Sequence, residues 1–146
     1  MNWILRLLFI AFLFWVSIVD VCKRIIPDKA IGIAILVRFV FAIFTEEMKW
    51  QGIVGLFLNG LVVTVPLLLL VLIMERVLRI ELMGGGDIKL LFVIGMYIGW
   101  EKSLIAFLVA CVIGIIAGLI ERRNGDIYFP FGPSIALGTV ISMLIG

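Results

Sequence analysis

The sequence predicts an all-α membrane protein, a polytopic bundle of about six transmembrane helices forming a single domain over residues 1–146. Three observations carry this expectation. Apolar residues make up 64% of the chain and charged residues 15%, with a mean hydropathy of +1.32, against roughly 45–50% and roughly 25% in soluble domains. Too few polar residues remain to cover a water-facing surface, so lipid has to be the outer solvent. Six apolar stretches come near the roughly 17–25 residues that a span requires. Finally, the basic residues gather in alternate loops, as membrane topology demands.

The first stretch, Trp3 to Val19, could pass for a signal peptide. Arg6 is its only basic residue, no small-x-small cleavage site follows, and further apolar segments come after it, so it reads as a retained span. The second, Ala30 to Phe44, is short and holds Arg38 within it. The third, Ile53 to Ile73, and the fifth, Ser103 to Ile120, are apolar on every helical face, unlike the one-sided stripe of a soluble helix. The fourth, Ile88 to Trp100, is short like the second, which implies tilting, extension past the apolar run, or ends buried in protein. The sixth runs from Phe131 to Ile145. Helices are required throughout, because backbone groups in lipid have to be satisfied within each segment.

The loops after the first, third and fifth spans hold eight basic residues: Lys23, Arg24, Lys29, Arg76, Arg79, Lys89, Arg122 and Arg123. The other side holds three, Arg6, Lys49 and Lys102. The positive-inside rule then puts the eight-residue side in the cytoplasm and both termini outside. Asp20 and Asp87 fall on that cytoplasmic side. A net charge of +2 is too mild for nucleic-acid binding. Cys22 and Cys111 form no CxxC pair and the chain has no histidine, so neither a metal site nor a disulfide framework is expected. Serine–histidine and cysteine–histidine chemistry are closed for the same reason.

Asp20 closes the first apolar run and opens a basic loop, which predicts a carboxylate at the lipid–water boundary; pairing with Lys23 or Arg24 is the plain structural alternative. Asp87 follows Gly84, Gly85 and Gly86 and stands directly before the run from Ile88, the N-cap position of a helix. Glycines there admit positive φ angles and close approach of another chain. The helix amides and dipole favour the ionised carboxylate. An ordinary cap after a turn is the structural alternative. The glycine run lacks a following Lys-Ser or Lys-Thr, which argues against a phosphate-binding loop. The two aspartates lie 67 residues apart on one membrane face. Packed close, they could not both ionise, so one would hold a proton while the other acts as general base toward water. Peptide hydrolysis by an aspartyl dyad uses this chemistry and needs no cofactor.

These residues resemble the type IV prepilin peptidase family of GxGD membrane aspartyl proteases. Asp20 with Lys23, Arg24, Ile25, Ile26, Pro27 and Asp28 is similar to its first-aspartate motif, and Gly84, Gly85, Gly86, Asp87, Ile88 and Lys89 to its second. Pro130, Phe131, Gly132 and Pro133, followed by Ala136, Leu137 and Gly138, resemble the opening of its last span. The resemblance implies Asp20 and Asp87 as the catalytic pair, with Gly84, Gly85, Gly86 and Lys89 shaping the active-site loop. The implied substrate is a prepilin or pseudopilin, with a short basic leader ending in glycine before an apolar helix, cut at the cytoplasmic face of a cell inner membrane. Asp28, Glu75 and Glu81 are candidate contacts for that leader, with solvated loop charges as the plain alternative. Many relatives carry a further domain with paired CxxC motifs, associated with N-methylation; this chain looks like the short, peptidase-only form. Competing readings are a presenilin-like protease, a proton-linked transporter, whose carboxylates should lie mid-membrane, and a non-catalytic scaffold of a pilus or secretion assembly.

Overall fold

The structure, a computed structural model, describes residues 3–23, 25–44, 50–79, 83–124 and 131–145. These residues form six α-helices: α1 (Trp3–Lys23), α2 (Asp28–Phe44), α3 (Trp50–Leu78), α4 (Gly85–Ile98), α5 (Trp100–Asn124) and α6 (Gly132–Ile145). Each predicted stretch falls on a helix, and the described residues are all-α. Three helices, over Trp3–Lys23, Gly52–Leu78 and Trp100–Ile120, are long and apolar enough to cross a membrane.

Helix ends differ from the apolar boundaries for a physical reason. An apolar run measures how much chain prefers hydrocarbon, whereas a helix continues while its backbone bonds and residue propensities allow. Glu75 and Arg76 are good helix formers, so α3 passes its predicted end at Ile73 and reaches Leu78. It ends at Arg79, whose φ of 56° is left-handed and whose N–H donates to the Glu75 carbonyl at 2.8 Å. α4 ends the same way at Gly99, φ 85°, with its N–H on the Gly95 carbonyl at 3.0 Å. The predicted continuation to Trp100 is therefore cut short.

Contacts divide the chain into two units, one of Met1–Ile26 with Glu101–Gly146 and one of Pro27–Trp100. In the second unit α4 is the covered helix. Leu90, Leu91 and every residue from Val93 to Tyr97 are buried, with α2 and α3 packed against it. At about 21 Å it is too short to need lipid contact along its length. Asp28 of α2 meets Lys89 of α4, the Tyr97 hydroxyl donates to the Ala34 carbonyl at 2.7 Å, and Arg38 Nε donates to the Met96 carbonyl at 3.2 Å. The order of these contacts shows that α2 and α4 run in the same direction. Arg38, the odd charge within the second predicted span, is only 5% exposed. It serves the last turn of α4, where carbonyls have no helical partner and a cation suits the dipole, and its guanidinium lies 5.9 Å from the Tyr97 ring centroid.

α3 and α4 meet backbone to backbone. A Cβ on Gly95 would stand 2.8 Å from both the Asn59 carbonyl oxygen and Gly60 Cα. Neither atom can rotate away. Gly95→Ala is therefore expected to cost about 1–3 kcal/mol, the usual range for overpacking, read as a lower thermal midpoint in detergent. Gly32→Ala, whose Cβ meets nothing within 4 Å, serves as the unaffected control.

In the first unit, α1 packs along α6. Its buried residues, Leu5, Phe9, Leu13, Val16 and Asp20, fall at steps of three and four on one face. The end of α1 lies at the start of α6, so the two are antiparallel. α6 presents small residues, as close helix packing in membranes favours. A Cβ on Gly138 would collide with the Ala106 carbonyl of α5, and Ser142 Oγ donates to the Lys102 carbonyl at 2.7 Å.

Candidate active site

Asp20 does not begin a loop. It lies inside α1, one turn before Lys23, and is 6% exposed rather than at an open membrane boundary. The reason is its register: it continues the stripe of Leu5, Phe9, Leu13 and Val16 that faces α6. Its Oδ2 accepts the Gly132 backbone N–H at 2.8 Å, whereas Lys23 is exposed; Arg24 lies outside the described residues. A carboxylate near the C-terminal end of its own helix meets an unfavourable dipole. Placed against the first residue of α6, it gains a free amide and the positive end of that helix. A Cβ at Gly132 would stand 2.5 Å from Asp20 Oδ2 and 3.0 Å from its Cγ. Glycine is thus the residue that lets this carboxylate reach the helix end. Pro133 sits in the first turn of α6, where a missing N–H costs little; Pro130 lies outside the described residues.

Asp87 is in the first turn of α4 and not at its N-cap. Gly84 is the N-cap, with φ −65° and ψ 139° and no side-chain cap bond, and the helix begins at Gly85. Gly85 and Gly86 enter the helix, so the expected positive φ angles are not what this segment uses; a β-region Gly84 followed by two helical glycines starts α4 three residues earlier than the apolar run does. The Asp87 N–H donates to the Gly84 carbonyl at 3.0 Å. A Cβ at Gly84 would lie 3.4 Å from Asp87 Oδ2, so the carboxylate turns back over the N-cap, where the dipole favours its charge. The residue is half-buried.

Lys89 and Asp28 form an ion pair at 2.6 Å. Asp28, a candidate leader contact with a solvated loop charge as the alternative, has a partner within its own unit. Glu75 is half-buried in the last turn of α3, and Glu81 lies outside the described residues. Among the described residues no cluster of three or more His, Cys, Asp or Glu could hold a metal. Gly132 stands in the motif that opens the last span, and the sequence alone assigns it no task. Once the structure shows Phe9, Leu13 and Val16 buried, their spacing to Asp20 turns its carboxylate inward, where it requires a donor from a packed helix.

Fold and site together define an all-α membrane protein with one carboxylate buried at a helix terminus and another in the first turn of a covered helix. The Type IV leader peptidase family profile matches residues 7–119, a stretch containing both aspartates, and the chain belongs to that family. Over 154 aligned positions it is 29% identical to a prepilin leader peptidase/N-methyltransferase of Pectobacterium carotovorum subsp. carotovorum, covering 95% of this chain and 50% of that protein. The protein of the same description from Stutzerimonas stutzeri is 26% identical over 139 residues, 89% of this chain and 45% of its own. The Vibrio cholerae counterpart reaches 43% over 65 residues, 43% of this chain and 26% of the other. The chain thus spans half or less of the length of these relatives. No solved structure matches it.

Proposed function

We propose that this chain is a membrane aspartyl endopeptidase that removes the short basic leader from prepilin or pseudopilin precursors. The observation that carries the reading is the buried Asp20, held by the Gly132 amide in a protein whose family is that of leader peptidases. Ionisable groups withdrawn inside membrane proteins are costly and mark functional sites. Asp87, in the glycine-preceded first turn of α4, is the second carboxylate. In this reading residues 1–146 are one six-span peptidase domain, with Asp20 and Asp87 as its two catalytic carboxylates on the cytoplasmic side. One carboxylate takes a proton from water as the water oxygen bonds to the scissile carbonyl carbon. Its protonated partner donates to the developing oxyanion and then, as the carbon–nitrogen bond breaks, a proton passes to the leaving amine. The apolar stem of the substrate lies in the bilayer while its basic leader stays cytoplasmic by the rule that orients the enzyme.

The test is leader removal in membrane vesicles. A co-expressed precursor with a basic leader ending in glycine, then an apolar helix, is expected to be converted to mature length. A precursor whose leader glycine is replaced by a bulky residue is expected to remain uncut. Failure of the intact chain to cut a panel of such precursors would refute the peptidase reading.

A further inference from the structure

The Asp28–Lys89 pair joins the first residue of α2 to the first turns of α4 across 61 positions of sequence, with a contact of 2.6 Å. Lys89 is 54% exposed and Asp28 74%, so burial does not force them together. Two other contacts tie the same helices further along, Tyr97 to Ala34 and Arg38 to Met96. α4 is thus fixed to α2 at both ends, and Asp87 lies at the end that the ion pair alone secures among these three contacts. Without a side-chain cap at Gly84, and with glycine at positions 84, 85 and 86, the start of α4 has little intrinsic rigidity, because glycine loses more backbone freedom in a helix than any other residue.

We propose that Lys89, held by Asp28, is a positioning residue for Asp87, and that Asp28 acts through this pair and not as a contact for the leader. The role in catalysis rests on the peptidase reading above; the tethering of α4 does not. An ion pair this exposed contributes modestly, so the expected effects are of a few-fold. The experiment combines amide hydrogen exchange with kinetics on Asp28→Lys, Lys89→Asp and the D28K/K89D double swap. Each single reversal should speed exchange of the amides of Ile88 to Leu91 about fivefold, and the double swap should return it to the original rate. Lys29→Asp, which makes a similar change of charge beside the pair, should leave it unaltered. Cleavage should follow: kcat falls about fivefold in each single variant with KM unchanged, and recovers in the double swap.

Unchanged exchange in both single variants, or a double swap that adds their effects, would overturn the tether. A raised KM for Asp28→Lys that the swap does not restore would return Asp28 to the leader-binding role. If the intact chain cuts no precursor, the peptidase reading fails, and the exchange measurements still decide whether the pair holds α4.

Discussion

Asp20→Asn and Asp87→Asn are each expected to reduce leader cleavage at least about a thousandfold, within the range that acid–base groups contribute, while the protein stays folded and membrane-inserted. The carboxamide is nearly the size of the carboxylate. In Asp20→Asn its oxygen can still accept the Gly132 N–H that Oδ2 accepts at 2.8 Å, so the α1–α6 contact survives. What is lost is the carboxyl group that accepts and donates the proton in the proposed reaction. Asp20→Ala is the poorer probe, because it would leave the buried Gly132 amide without its acceptor at a cost of about 1–3 kcal/mol and mix instability with lost chemistry. Asp87→Asn removes charge from the first turn of α4, where the dipole contributes about 0.3–1 kcal/mol, too little to unfold the unit. Vesicles with matched amounts of each variant, checked for equal thermal midpoints after extraction, give the comparison. Cleavage persisting in either variant at near the original rate would remove that residue from the proposed pair.

How much of this was legible in the sequence depended on what contrast the residues offered. The six helices were visible because apolar runs interrupted by charged or glycine-rich loops have no other outcome in lipid. Which face of each helix turns inward was not. In α1 nearly every residue before Asp20 is apolar, so the buried stripe of Leu5, Phe9, Leu13 and Val16 does not stand out from the exposed Trp3, Phe14 and Trp15. The burial of Asp20 could only be found by extending a stripe that hydropathy alone does not reveal. Asp87 was displaced from N-cap to first turn for a related reason: glycine has no hydropathy signal, and whether it caps or enters a helix is set by what packs beyond it. Arg38 and the Asp28–Lys89 pair depend on contacts across more than 55 residues, which no local pattern encodes.

Gly132→Ala is expected to cut kcat for leader cleavage about a hundredfold, the cost of misplacing a reacting group by roughly an ångström, with KM little changed. The added methyl would fall 2.5 Å from Asp20 Oδ2 and 3.0 Å from both its Cβ and Cγ, closer than carbon and oxygen can stand. Asp20 is a side chain on a helix, so it can swing aside more easily than α1 and α6 can part. Swinging aside breaks its bond to the helix end. Stability should therefore suffer less than catalysis. Gly95→Ala gives the opposite pattern, because its methyl meets the Asn59 carbonyl and Gly60 Cα, backbone atoms with no rotamer to yield, about two turns along α4 from Asp87. That substitution lowers the thermal midpoint while the molecules that remain folded keep their kcat. Measuring both quantities for both variants separates a glycine that admits a carboxylate from one that admits a helix. A Gly132→Ala protein cleaving with its original kcat would show that Asp20 works without the α6 terminus, and the role assigned to that contact would have to be abandoned.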